Sequence, residues 1–304
     1  MKDGVPNTRA ERLLARRAAF LHTALGMPRP LRIADVGANP IHTPPYHDLL
    51  QLGGCEVWGF EPEPEAFAAL EASAGPNTHY LQRAVGPKGP ATFYGNKMSG
   101  IGSLFRVSET AVNYLAKRRW HRHQHAGIPL DLVALDDLPD DELPKPDLVK
   151  IDIQGGELGV FESGRAKLSQ ATCIITEVRY YRIYENEPFF HQVDKELHDQ
   201  GFVLHRMLMP KTTTVANSQR GRMKKKAFYS QLMDGDAIYI RDPATIADWS
   251  DDQVMQLAVA AATIFDSFDL TVHCLDALVA RGVVAEDAPA GFVDQLPPWM
   301  FAEA

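Results

Sequence analysis

This sequence predicts an α/β fold, a mostly parallel sheet with helices on both faces. Three observations predict it. Short apolar runs recur as strands from after residue 30 to near residue 241, helical stretches fall between many of them, and Gly or Pro breakers separate the two. Strands and helices alternating in this way bury both sheet faces, as parallel sheets require. The chain has 304 residues, 45 % of them hydrophobic, enough for a sizeable core.

The elements follow in order. Residues 9–26 repeat apolar side chains with helical period (Leu13, Leu14, Ala18, Phe20, Leu21, Leu25) and stop at Gly26, so they predict a helix. "LRIADVGAN" is a strand ending in a Gly turn. "TPPYHDLLQLGG" is a helix with Thr43 as its N-cap, Pro44 in its first position and Gly53 past its end. "CEVWGFEPEP" gives a second strand, "PEAFAALEAS" the next helix, and "HYLQRAVG" a third strand. "GPATFYG" reads as an added strand or hairpin, and "IPLDLVALDDL" alternates like a half-exposed strand. "PDLVKIDI", "ATCIITEV", "GFVLHRM" and "DAIYIRD" complete the strands, with "GELGVFESG" and "EPFFHQVDKELHDQ" as intervening helices.

Three segments result: an N-terminal helical cap (1–29), the sheet domain (30–242) and a C-terminal helical extension (243–304). From Asp251 the extension reads as two amphipathic helices, which either cap the domain or pair two copies as a homodimer. "KTTTVANSQRGRMKKKAF" (211–228) is polar, basic and aperiodic, and reads as a mobile loop or a lid over a substrate.

Composition narrows the function. A net charge of -8 argues against a nucleic-acid binder, leaving only local basic patches. Cys55, Cys173 and Cys274 are too few and scattered for a disulfide framework or a zinc site, and read as buried thiols. The N-terminal stretch carries charges through its apolar positions, so neither a signal peptide nor a membrane span is expected, and the cytoplasm is the default compartment.

In an open α/β sheet, ligands bind at the carboxyl ends of the strands. Three such ends carry an unusual residue. Asp35 closes "DVGAN", where Gly37 permits a tight turn or close approach of backbone to a ligand. Glu61, in "FEPEP" and followed by Pro62, lies 24 positions after Gly37, near the roughly 20-residue offset at which an acid takes ribose hydroxyls. Asp152 ends "LVKID", just ahead of a helix that opens near Glu157. The turn reads "GANPIH" rather than G-x-G-x-x-G, so it suits a ligand with a ribose but no pyrophosphate.

Together, "DVGAN", "GFEPEPEAFAALE", "AVGPKGPATFY", "SGIGSLF", "LDDL", "LVKIDIQGGELGVFESG" and "IITEV" resemble, in order, the FkbM-type S-adenosylmethionine-dependent methyltransferases over roughly residues 30–241. The resemblance implies a class I methyltransferase (Rossmann-like) fold of seven strands, the last inserted antiparallel. It also implies methyl transfer, usually to a hydroxyl oxygen of a sugar, polyketide or similar small molecule. One departure stands out. The family turn usually reads G-A-N-x-G, and here Pro40-Ile41 replaces the stretch with the second Gly. Ile41 cannot adopt a left-handed backbone cheaply, so the loop must take another path.

The implied donor site comprises Asp35, Gly37, Asn39, Glu61, Pro62 and Asp152, with Arg83 and Ala84 bordering the adenine mainly through backbone. Methyl transfer needs alignment of oxygen, methyl and sulfur, and an alcohol acceptor gains from a general base. Asp152 is the first candidate for contact with the donor's amino group or the acceptor, and Glu177 is the second candidate base. Glu177 has a structural alternative in an ion pair with Arg179 or Arg182. The two tips could also share a hard divalent cation, although no metal is predicted. His191 could shuttle a proton, or be a packed or surface histidine. Glu157 has a structural explanation as a helix-start acid.

"SGIGSL" (99–104) is either a loop pressed on the acceptor or an ordinary turn. In "KRRWHRHQHAG" (117–127), His121 and His125 would share a helical face, but neither the general-base Glu of H-E-x-x-H nor a third ligand of known spacing accompanies them. A solvated basic face is the plain reading of this stretch. Attraction of an anionic acceptor by Arg118, Arg119 and Arg122 is the functional one. Two rival readings remain: a binding protein on this fold without turnover, and a nicotinamide-dependent oxidoreductase.

Overall fold

Side chains alternate across a strand, and here the alternation feeds two separate cores. In the computed structural model, which describes residues 8–27, 29–98, 100–224 and 227–301, Leu31 and Ile33 join one apolar cluster while Ala34 and Val36 join the other. The chain begins with α1 (Arg9–Leu25), β1 (Leu31–Val36), α2 (His47–Gln51), β2 (Cys55–Phe60), α3 (Pro64–Ala72) and β3 (Thr78–Leu81). Next come β4 (Ala84–Val85), β5 (Gly89–Phe93), α4 (Glu109–Tyr114), α5 (Arg119–Arg122), β6 (Ile128–Val133), β7 (Leu148–Ile151) and α6 (Glu157–Glu162). The last third holds β8 (Cys173–Arg179), α7 (Phe190–Asp199), β9 (Phe202–Thr213), β10 (Gln231–Arg241), α8 (Asp251–Thr263), α9 (Phe268–Ala280) and α10 (Ala288–Val293).

Seven strands form the main sheet in the order β3-β2-β1-β7-β8-β10-β9. The pairs from β3 to β8 are parallel, and β10 lies antiparallel to both of its neighbours. The strand order reverses between β1 and β7, so the switch point of the sheet lies there. The half-exposed strand expected in "IPLDLVALDDL" forms, outside the main sheet. β6, read from "IPLDLV", leaves the main sheet and pairs with β4 and β5 in a separate three-stranded sheet. Its half-exposed alternation fits either location, so periodicity alone could not choose between them.

One face of the sheet packs on α6 and α7 through Val160, Phe161, Val193 and Leu197. The other face is covered by α1, α8 and α9, which share a single core with Ile33, Val57, Leu148 and Ile238. α8 departs from the amphipathic expectation: every residue from Val254 to Thr263 is buried, because α9 and α1 cover what the sheet does not. A helix apolar on all sides belongs in an interior, and its run of alanines lets the neighbours come close. Ser250 starts it with a capping box in which its Oγ accepts from the Gln253 N–H at 3.2 Å. α10 adds a short third helix to the C-terminal segment.

Polar contacts tie the terminal helices to the sheet. Arg17 is buried in α1, donates to the Ala262 carbonyl at 3.0 Å and pairs with Asp266 at 3.0 Å. Arg29 grips Asp147, just ahead of β7, through two bonds of 2.6 and 2.9 Å and also pairs with Asp252 of α8. α2 begins later than expected. Tyr46 rather than Thr43 precedes it, and no side chain caps it. The three cysteines are free and buried, as the sequence predicts. Among the described residues, no helix is long and apolar enough to cross a membrane.

Leu257 is fully buried between the sheet and the outer helices. Leu257→Ala removes about three methyl or methylene groups there and should lower unfolding free energy by about 3 kcal/mol in urea titrations.

Candidate active site

Backbone contact at the switch point builds the site. Gly37 follows β1 with φ +82°, and a Cβ there would lie 2.3 Å from the Asp152 carbonyl oxygen and 2.9 Å from Ile153 Cγ2. Only glycine permits that conformation and that approach together. The Asp152 N–H donates to the Val36 carbonyl at 3.1 Å, and the Gly37 N–H donates to the Phe60 carbonyl at 3.0 Å. The tips of β2, β1 and β7 are thus held side by side. Glu61 follows β2 directly, so its side chain joins theirs.

These tips border one cavity of about 1290 Å³, whose wall includes Asp35, Gly37, Glu61, Asp152 and Glu177. That exceeds the roughly 300–1,000 Å³ of a typical single-ligand site, leaving room for a donor and an acceptor together. Glu61 is buried, and one carboxylate oxygen accepts from the Glu63 N–H at 2.8 Å. Burial pushes its pKa up to about 7 despite that bond.

Asp35 and Lys150 form the floor of the cavity. The Asp35 carboxylate accepts from the Tyr46 hydroxyl at 2.5 Å and pairs with the Lys150 ammonium at 3.1 Å. Burial alone would lower the Lys150 pKa, but Asp35 and then Asp152 outweigh it and hold the ammonium above its ordinary value. Burial and Asp35 together keep the Tyr46 hydroxyl protonated.

A second polar group lies across the mouths of β7 and β8. Asp152 is exposed to the cavity, and its Oδ1 accepts from Gln154 Nε2 at 2.8 Å. The Gln154 Oε1 accepts from Arg179 at 3.2 Å and from the Tyr184 hydroxyl at 3.3 Å. Arg179 also pairs with Glu177 at 2.7 Å, Asp234 at 3.1 Å and Glu187 at 3.4 Å, all buried. Burial pushes Glu177 up to about 8 against the pull of Arg179, and Asp236 is raised by burial and then by Asp152.

Asp152, Glu157 and Glu177 bring one oxygen each within 4.8 Å of one another. Glu157, however, accepts the N–H groups of Ile153 at 3.0 Å and Gly155 at 2.9 Å, and Glu177 already faces Arg179 and Lys211. Their charge is met by protein donors, and no metal is assigned there.

A model of the methyltransferase FkbM domain matches residues 35–204, more than half of the chain. The chain belongs to that family. With the family comes the class of reaction, methyl transfer from S-adenosylmethionine. No curated protein sequence matches this one. Among solved structures, precorrin-6y C5,15-methyltransferase from Geobacter metallireducens is 13 % identical, with 74 % of this chain and 86 % of that one covered and a TM-score of 0.34. Magnesium protoporphyrin IX methyltransferase from Synechocystis, solved with bound donor, is 15 % identical, with coverages of 76 % and 79 % and a TM-score of 0.34.

The residues of this methyltransferase that the sequence singled out mostly converge. Asp35, Gly37, Asn39, Glu61, Pro62, Arg83, Ala84, Asp152 and Glu177 all line the large cavity. Glu177 also makes the Arg179 ion pair of its structural alternative, whereas Arg182 instead lies 3.5 Å over the Phe189 ring. His191 does not converge. It is exposed on α7, stacked on Phe189 with ring centroids 5.6 Å apart, and is absent from the cavity wall, so no proton shuttle is assigned to it.

The Pro40-Ile41 turn is closed by Asn39, whose Oδ1 accepts from the Ile41 N–H at 3.0 Å. This Asx turn supplies the alternative path that the missing glycine demands. Gly100, Gly102 and Leu104 of the "SGIGSL" stretch line the cavity, and Ser99 falls outside the described residues. His121 and His125 do not share a helix, because α5 ends at Arg122. Sequence reasoning missed Lys150, Tyr46 and Gln154; a lysine inside the apolar run "LVKI" was the available signal.

The raised pKa of Glu61 has a measurable consequence. The native carboxyl binds its proton more tightly than the unfolded chain does, with a pKa of about 7 against an ordinary 4.5. Its contribution to stability is therefore complete below the lower value and lost as pH rises through the higher one. Glu61→Gln removes that loss, so the melting temperature of the variant relative to wild type should climb between about pH 5 and about pH 8.

Proposed function

We propose that this methyltransferase methylates a hydroxyl oxygen of a small-molecule or glycan acceptor. The observation that carries the reading is the single cavity bordered by both Glu61 and Asp152 at the switch point. When bound, S-adenosylmethionine supplies an electrophilic methyl on a sulfonium, which departs as a neutral thioether as the S–C bond gives way to an O–C bond.

The chain's own residues bind, orient and take a proton. Glu61 faces the ribose hydroxyls, and its raised pKa lets its carboxyl accept or donate near neutrality. Arg83 and Ala84 form the wall beyond β3, where the adenine fits. Gly37 and Asn39 shape the turn around the methionine end. Asp152 is the base we assign to the acceptor hydroxyl. One of its oxygens is fixed by Gln154, and an alcohol is too weak a nucleophile to attack unless a base takes its proton, whereas a free amine attacks through its lone pair. Glu177 stands behind it as a positioning residue, because Arg179 bridges Glu177 to Gln154 and so to Asp152.

Calorimetry with S-adenosylhomocysteine should show saturable binding that Glu61→Ala weakens by about tenfold or more. Absence of binding by the wild type overturns the donor site. An acceptor panel read by mass spectrometry tests the rest: methyl on oxygen supports the assignment, and methyl on nitrogen alone sinks it. The same panel addresses a binding protein without turnover, the alternative raised by the Pro40-Ile41 turn, since such a protein would bind the product and methylate nothing.

A further inference from the structure

A second cavity, of about 510 Å³, opens beside the first and shares Met98 with it. Five cations line it: Lys117, Arg118, Arg119, Arg122 and Arg220. Among the described residues its wall contains no Asp or Glu, in a chain of net charge -8. Elsewhere several arginines hold a carboxylate, among them Arg29, Arg165, Arg179 and Arg281. Arg118, Arg119 and Arg122 make no ion pair among the described residues. Like charges gathered around a concave surface repel one another and raise the local concentration of anions.

The cavity is also built into its surroundings. Arg220 is fixed by its bonds to the Thr214 carbonyl and, at 3.2 Å, the Val215 carbonyl. The Lys117 ammonium lies 5.3 Å from the Trp120 ring centroid. The Trp120 carbonyl accepts from Asn96 at 2.7 Å, and Asn96 belongs to the wall of the large cavity. The basic segment is therefore anchored to the site of methyl transfer.

We infer that this second cavity is an anion subsite taking a phosphate or sulfate ester group of the acceptor. Guanidinium groups present paired N–H donors that match two oxygens of such a group, and four of the five cations are arginines. The identity of the ligand as an acceptor rests on the methyl-transfer reading, whereas anion binding rests on the residues of this cavity alone.

The test titrates the full chain with inorganic phosphate and with sulfate, and separately with S-adenosylhomocysteine. The wild type should bind at least one of the two anions, and Arg119→Ala with Arg122→Ala should weaken that binding by about tenfold or more. Binding of S-adenosylhomocysteine should stay within about twofold in the double variant, which also shows that it folds. Failure of the wild type to bind either anion, or equal binding by the variant, overturns the subsite whatever the second titration gives. Anion binding without S-adenosylhomocysteine binding keeps the subsite and removes the methyl-transfer reading instead. A single-stranded oligonucleotide is the last probe. If it binds more than about a hundredfold tighter than phosphate and loses that binding in the variant, the surface is a nucleic-acid face and the acceptor subsite falls.

Discussion

The approach of Gly37 to the Asp152 carbonyl is the constraint on which the site depends. Two parallel neighbours whose connections leave in opposite directions open a crevice between their tips. Its width is set here by backbone packing, since a Cβ at residue 37 would meet the Asp152 oxygen at 2.3 Å. Backbone bonds from Asp152 to Val36 and from Gly37 to Phe60 then fix three strand ends relative to one another. Glu61 and Asp152 inherit their places from that stitching. Short links from regular strands to functional carboxylates hold alignment better than long loops do, and alignment is most of what methyl transfer asks of a protein.

Charge is distributed around this frame in two signs. The large cavity is lined by Asp35, Glu61, Asp152, Glu177 and Asp236, with Lys150 and Lys211 among them. An acid-rich wall suits a donor that carries a sulfonium and an ammonium. Burial would make these acids costly without counter-charges; Arg179 meets Glu177, together with the buried Glu187 and Asp234 behind the wall, while Lys150 meets Asp35. The adjoining cavity reverses the sign, with Met98 common to both walls. A molecule spanning the two would be oriented by that reversal, its anionic end drawn away from the acid-rich wall.

The central strands were legible in the sequence because burial on both faces leaves near-continuous apolar runs such as those of β7 and β8. The strand-tip acids were legible because a charge at the end of such a run is conspicuous. Three features were hidden for physical reasons. β6 carries a pattern that either sheet would accept. α2 starts after Tyr46, whose hydroxyl bonds Asp35, and not at the local capping signal of Thr43. His191 lies on a helix whose amphipathic pattern gives its buried face but not its distance from the strand tips. Glu177 was ambiguous for a further reason: one carboxylate can line a cavity and hold an ion pair at once, and it does both.

Gln154 shows how the strand frame reaches Asp152, the base proposed for the acceptor hydroxyl. Its φ of +58° is rare for a residue with a side chain and costs on the order of 1 kcal/mol or more. A glycine would relieve that strain but would abandon every side-chain bond the residue makes. Gln154 Nε2 steadies Asp152, its Oε1 receives Arg179 and Tyr184, and its carbonyl takes the Ser103 hydroxyl at 2.6 Å. The strained turn thus connects the "SGIGSL" segment, the buried Arg179 group and the β7 tip through one side chain and its own backbone. Strain held in place by so many partners indicates a position determined by its neighbours rather than by local preference. One oxygen of the exposed Asp152 carboxylate is thereby tied to the buried acids behind it.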